Sequence, residues 1–238
     1  IAQCLVGSEM CIRDRYRNTF LSVMFLACCF NGSLCAQSDA QIYERTCDAK
    51  TYPFSDPSPV ATPNNSYYPY FRFDGFSMQA QEKQWKMVVL ENDYVKLTVT
   101  PEIGGKIWGA IDKVNNKEFV YTNGVVKFRD VAMRGPWTSG GIEFNFGIIG
   151  HAPTCSTPID YLTKKNVDGS VSCHIFSYEW ITRTVWNVEI NLPKDKAYFT
   201  THTTWFNQSS IDQPYYQWMN AGYATKTGTR FYYPGTYS

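Results

Sequence analysis

The chain has 238 residues, 22 Lys and Arg against 21 Asp and Glu, and a formal net charge of +1. That length suits one domain, or two at most, and the even charge excludes the basic field that a nucleic-acid or anionic-surface binder uses. Aromatic residues make up 16%, with seven Trp and seventeen Tyr, which suits a large β core and also the faces of sugars.

Residues 1–15 resemble a translated sequencing adaptor rather than protein, and they are set aside together with Cys4 and Cys11. Residues 16–36 read as a signal peptide. Arg17 supplies a charged start, residues 20–30 are an almost wholly apolar run, and Ala36 offers a small cleavage residue. The run is too short to span a bilayer, which takes ~20 residues, so no transmembrane helix is expected. The protein is expected to be exported, to the periplasm or beyond the cell. A lipid-anchored form through Cys29 or Cys35 is the second reading, because neither fits a lipobox well. Cys47, Cys155 and Cys173 then remain, an odd number that allows one disulfide or none, with no zinc-like spacing.

Residues 37–75 read as an extended leader, Pro-rich over 48–70 and lying against the domain. The prolines there rule out a helix and disfavour a central strand. Residues 76–238 read as the domain proper. Strands are predicted over 86–90, 95–100, 106–112 and 118–121, joined by short loops in antiparallel order. Further strands follow over 141–147, 171–178, 183–191, 198–207 and 213–224. In the 183–191 strand, Thr184, Trp186, Val188 and Ile190 share one face, while Arg183 and Asn187 share the other. No stretch has helical periodicity with caps. Many strands at short spacing predict an all-β, antiparallel sandwich or barrel, with one broad sheet whose concave side binds.

The stretch 134–151 is the most informative. It holds five of the sixteen glycines, and between them lie Arg134, Trp137, Glu143, Asn145 and His151. That is a guanidinium fork, a flat apolar face, a carboxylate, a carboxamide and an imidazole, the kit a sugar needs. Within it Ile142, Phe144 and Phe146 alternate with Glu143 and Asn145. The spacing predicts a strand with an apolar face in a core and a polar face lining a cleft. A hairpin whose Glu and Asn simply meet solvent is the plainer alternative.

Several motifs resemble one family. They are Trp85-Lys-Met-Val-Val-Leu-Glu-Asn-Asp-Tyr94, Pro101-Glu-Ile-Gly-Gly-Lys-Ile-Trp108, the 134–147 stretch, Gly150-His151, Pro158-Ile-Asp-Tyr161 and Tyr215-Tyr-Gln-Trp-Met-Asn220. In this order they resemble a bacterial domain of unknown function in the galactose mutarotase-like superfamily, often followed by tetratricopeptide repeats. The resemblance covers about residues 50–238. It implies a β-supersandwich, a carbohydrate-binding cleft and a setting in polysaccharide breakdown. The superfamily holds epimerases, hydrolases and lyases, so the fold does not fix the chemistry. In mutarotases the segment resembling Trp218-Met-Asn220 carries a substrate-facing histidine, and this chain has none there, which counts against an epimerase. The chain stops in mid-pattern by comparison with the family and is expected to be a piece of a longer protein. A missing C-terminal region would then supply repeat-mediated protein partners.

The expected proton-handling residues are Glu143 and His151. The expected sugar-binding residues are Arg134, Trp137, Asn145, Asp160, Arg183, Trp218 and Asn220. Trp137 and Trp218 serve equally well as stacking platforms or as core. No metal and no cofactor is expected. The expected ligand is an oligosaccharide or polysaccharide, bound by a glycoside hydrolase in the first reading. An aldose epimerase and a non-catalytic glycan-binding module are the alternatives.

Overall fold

The computed structural model describes residues 38–55, 75–130, 136–147, 151–179, 182–232 and 235. The adaptor-like stretch and the signal-like run lie outside the described residues, as does Arg134.

Fourteen strands follow one another, with no α-helix among the described residues. They are β1 (Gln41–Tyr52), β2 (Gln81–Glu91), β3 (Val95–Thr100), β4 (Lys106–Asp112), β5 (Lys117–Val120), β6 (Val126–Lys127), β7 (Arg129–Asp130), β8 (Pro136–Trp137), β9 (Ile142–Phe146), β10 (Asp160–Lys165), β11 (Val171–Glu179), β12 (Thr184–Leu192), β13 (Thr200–Asn207) and β14 (Gln217–Ala221). One 3-10 turn spans Pro153–Ser156. The large sheet runs β14-β9-β4-β3-β2-β1-β6, with β5 also on β4, and the small sheet runs β10-β11-β12-β13. Pairing is antiparallel except between β1 and β6. β7 and β8 form a separate ribbon. The fold is thus an all-β sandwich, as the strand spacing predicts.

The two sheets meet through alternating apolar residues. Val88 and Leu90 of β2, Leu97 and Val99 of β3, and Phe144 and Phe146 of β9 pack with Ile175 of β11 and Trp186, Val188 and Ile190 of β12. Phe146 stacks on Trp186 with centroids 4.5 Å apart and planes 13° apart. Buried aromatic area of this kind is the main driving force for closing a sandwich.

The large sheet is also covered on its other face. Trp85, Met87, Ile103, Val126 and Phe128 form a second buried cluster there, with Trp108 packed against it. Trp85 Nε1 donates to Thr51 Oγ1 at 2.9 Å, which satisfies the indole inside this cluster.

Two stretches differ from the sequence reading. Gln41–Tyr52, within the segment read as an extended leader, is a full strand paired with β2 from Gln41↔Glu91 to Thr51↔Gln81. Residues 160–165 carry a strand that the sequence reading omits. Cys47, Cys155 and Cys173 are all free thiols. No helix among the described residues is long and apolar enough to cross a membrane.

Candidate functional site

Three neighbouring strands bring chemistry together on the outer face of the large sheet. β14 lies against β9 with Asn220 opposite Glu143 and Trp218 opposite Asn145. β9 meets β4 antiparallel at Ile107↔Ile142, which brings the next two residues, Lys106 and Glu143, side by side across the strands. Ile142 and Ile107 point into the sandwich core, so their neighbours Glu143 and Lys106 point the other way. The close approach of β9 to β4 depends on Gly141. Its φ is +68°, and a Cβ there would lie 2.4 Å from the Ile107 carbonyl oxygen.

A loop covers this face. The β3–β4 turn holds the segment after His151, because Gly104 N–H donates to Thr157 O at 2.8 Å and Ile159 N–H to Pro101 O at 3.1 Å. A Cβ on Gly104 would sit 2.5 Å from Cys155 O, so only glycine allows the 3-10 turn to dock there. β8 brings Trp137 and Thr138 over the same face.

Glu143 is 2% exposed, and Asn145 is fully buried. Glu143 Oε1 accepts from Asn145 Nδ2 at 2.8 Å and faces His151 Nδ1 at 2.6 Å. Asn145 Oδ1 accepts the Ala152 N–H at 2.7 Å, fixing the loop that carries His151. Glu143 Oε2 is buried with no hydrogen-bond partner. It lies 3.8 Å from Lys106 Nζ. Lys106 in turn donates to the backbone oxygen and the hydroxyl of Thr138. Trp137 and Trp218 approach His151 edge-on, with centroids 6.0 and 4.8 Å away.

Burial pushes the Lys106 ammonium below its ordinary 10.5, and the Glu143 charge opposes that shift. Burial pushes the Cys155 thiol up to about 12, and Glu143 adds to the rise. Cys155 is therefore a neutral thiol beside the site and no nucleophile.

A cavity of about 250 Å³ opens against Glu143, Lys106 and Trp137. Its remaining walls are Asn220 and Ala221 of β14 and the backbone of Gly140 and Gly222.

The structure therefore gathers Glu143, Trp137 and Asn220 at one cavity, with His151, Asn145 and Trp218 immediately around them. Asn145 is a buried organiser of Glu143 and the loop rather than a wall of the cavity. Trp218 packs against the His151 ring. Asp160 is exposed at the start of β10 in the small sheet. Arg183 is exposed in the turn before β12 at a φ of +56°. Neither borders the cavity. Asn187 faces His174 across the small sheet at 3.3 Å, again away from it. Lys106 escaped the sequence reading, although it shares a strand face with Trp108 directly after Gly104-Gly105. A lysine in that position was the available signal. Among the described residues, no group of three His, Cys, Asp or Glu side chains is placed to hold a metal ion.

The protein is thus an all-β sandwich with a buried Lys–Glu pair and a half-buried His on the outer face of its large sheet. It belongs to the family Domain of unknown function (DUF5107), whose model matches residues 62–238. It is also similar to the crystal structure of a TPR-domain containing protein from Parabacteroides distasonis, at 26% identity and a TM-score of 0.71. That likeness covers 78% of this chain but 32% of the neighbour, so the chain spans about a third of the neighbour's length.

Proposed function

We propose that this is an exported, carbohydrate-active domain of the galactose mutarotase-like superfamily that binds a glycan at the Glu143 cavity. Glycoside hydrolysis is the favoured chemistry. One observation carries the reading. Glu143 is buried and fixed through Oε1, its Oε2 accepts no hydrogen bond and has only Lys106 Nζ at 3.8 Å, and the residue borders a cavity together with an indole and a carboxamide. A carboxylate held this way is placed to exchange a proton with a sugar oxygen. The apolar run at residues 20–30 supports export. The solved TPR-containing neighbour supports repeat-mediated protein partners.

Hydrolysis generally uses two carboxylates across the scissile bond. Among the described residues, Glu143 is the only carboxylate bordering the cavity. That observation favours a second reading, a glycan-binding module without turnover. The two separate in one experiment on the full-length protein. Plant and algal oligosaccharides are followed by calorimetry for binding and by mass for products. Products that vanish in Glu143→Gln while binding persists support the hydrolase. Hydrolysis unchanged in Glu143→Gln overturns the catalytic role. Binding with no product supports the module, and anomer interconversion in polarimetry would instead make it an epimerase.

A further inference from the structure

Four buried side-chain polar atoms among the described residues have no hydrogen-bond partner: Ser55 Oγ, Trp137 Nε1, Glu143 Oε2 and Trp218 Nε1. Native proteins leave few such atoms, and each calls for an explanation. Two of the four belong to residues that line the same cavity, Trp137 and Glu143. One is a donor and the other an acceptor. An indole N–H and a carboxylate oxygen, each without a hydrogen bond and both on residues of one lining, amount to an unmet demand for a ligand with both hydroxyl and ether or hydroxyl oxygen. Water alone could meet each atom separately, but an indole beside a carboxylate and a carboxamide in one lining argues for a sugar ring. Gly140 and Gly222 border the same cavity and carry no side chain to fill it.

Size and charge narrow the ligand. The cavity holds about 250 Å³. Sites for drug-sized ligands start at roughly 300 Å³, so this one takes a single ring rather than a row of them. Lys106 and Glu143 face each other and cancel, and among the described residues no third charged group lines the walls. Among those residues, a sugar acid would set a second anion beside Glu143 with only a cation already engaged by Thr138 to offset it. Ala221 borders the cavity and is exposed, which gives the remainder of a chain its way out.

Resting on the carbohydrate reading above, we propose that the cavity holds one neutral pyranose at the end of a glycan. A ring hydroxyl donates to Glu143 Oε2, and a sugar oxygen accepts from Trp137 Nε1. Affinity is then set by the terminal residue and not by chain length.

The test uses calorimetry on the full-length protein. The probes are methyl pyranosides of neutral hexoses, pentoses and 6-deoxyhexoses, the matching oligosaccharides of increasing length, and glucuronic and galacturonic acid. One neutral methyl pyranoside is expected to bind within about tenfold of its longest oligomer, and the acids more than about tenfold more weakly. Trp137→Phe keeps an aromatic face but loses the five-membered ring with its N–H, and should weaken binding about tenfold. Ala221→Trp fills the exposed mouth and should abolish binding, with its melting temperature measured alongside. If that variant unfolds, Trp137→Phe decides. Affinity that climbs steadily with each added sugar, or a preferred sugar acid, overturns this inference and leaves the carbohydrate reading standing. No binding of any carbohydrate overturns both.

Discussion

Lys106 Nζ lies 3.8 Å from Glu143 Oε2, with the two side chains 1% and 2% exposed. Neither charge has bulk water around it, so among the described residues each is compensated by its partner and a few polar atoms. Lys106→Met keeps most of the stem volume and strands the carboxylate. The expected loss is ~3–5 kcal/mol in urea unfolding. Adding Glu143→Gln should restore part of that loss. Strictly additive single and double variants would show that the pair contributes no coupling.

The same pair has a signature in alkaline solution. A lysine whose folded pKa is lowered holds fewer protons folded than unfolded between its folded value and 10.5. Stability from this group therefore rises with pH across that window, and the penalty is complete below it. Glu143→Gln removes the charge that opposes the shift, so the window should open at a lower pH. Unfolding free energies measured from neutral pH upward would show the earlier onset. Identical onsets in both proteins would mean that Lys106 does not sense Glu143.

Asn145 ties the carboxylate to its covering loop. Asn145→Ala leaves the buried Ala152 N–H and Glu143 Oε1 each short of a partner, a loss of about 1–3 kcal/mol. Asn145→Asp keeps the acceptor for Ala152 but sets a second carboxylate where the amide bonded Glu143 at 2.8 Å. Two carboxylates so close cannot both ionise readily. The Asp variant should be weakest near neutral pH and regain stability on mild acidification. Thermal melts over that range check it.

The cross-sheet stack of Phe146 on Trp186 anchors the sandwich directly beneath the site. Trp186→Ala should cost ~3–5 kcal/mol, and Trp186→Phe clearly less. Chemical unfolding reads both. Equal effects would show that the lost stability is not ring packing.

Strands bounded by turns and built on clean alternation were legible in the sequence. β3 and β4 span the predicted residues, and β12 buries Thr184, Trp186, Val188 and Ile190 on one face, as the alternation implies. β10 and β1 were hidden for a shared reason. Both are largely exposed, so no buried alternation marks them. The common face of Glu143 and Asn145 was also legible. Their burial was not, because it comes from the way the flanking segments, Trp137–Thr138 before the strand and the loop after His151, fold back over it. Lys106 was obscured by topology. β4 and β9 are neighbours in space but distant in sequence, and a single strand gives no hint of what the next will bring beside it. Asp160 and Arg183 are drawn away by the small sheet, whose separation from the site also depends on strand order.

One wall of the cavity is carried by β14, whose only neighbour among the described strands is β9. Outer strands open at lower free energy than the middle of a sheet, and their amides exchange sooner. An occupant touching both Asn220 and Glu143 therefore acts as a cross-brace between the last two strands. Its arrival would be registered as slowed amide exchange along Gln217–Ala221, far more than in β2 or β3. Amide exchange along β14 thus doubles as a reporter of whether the cavity is occupied.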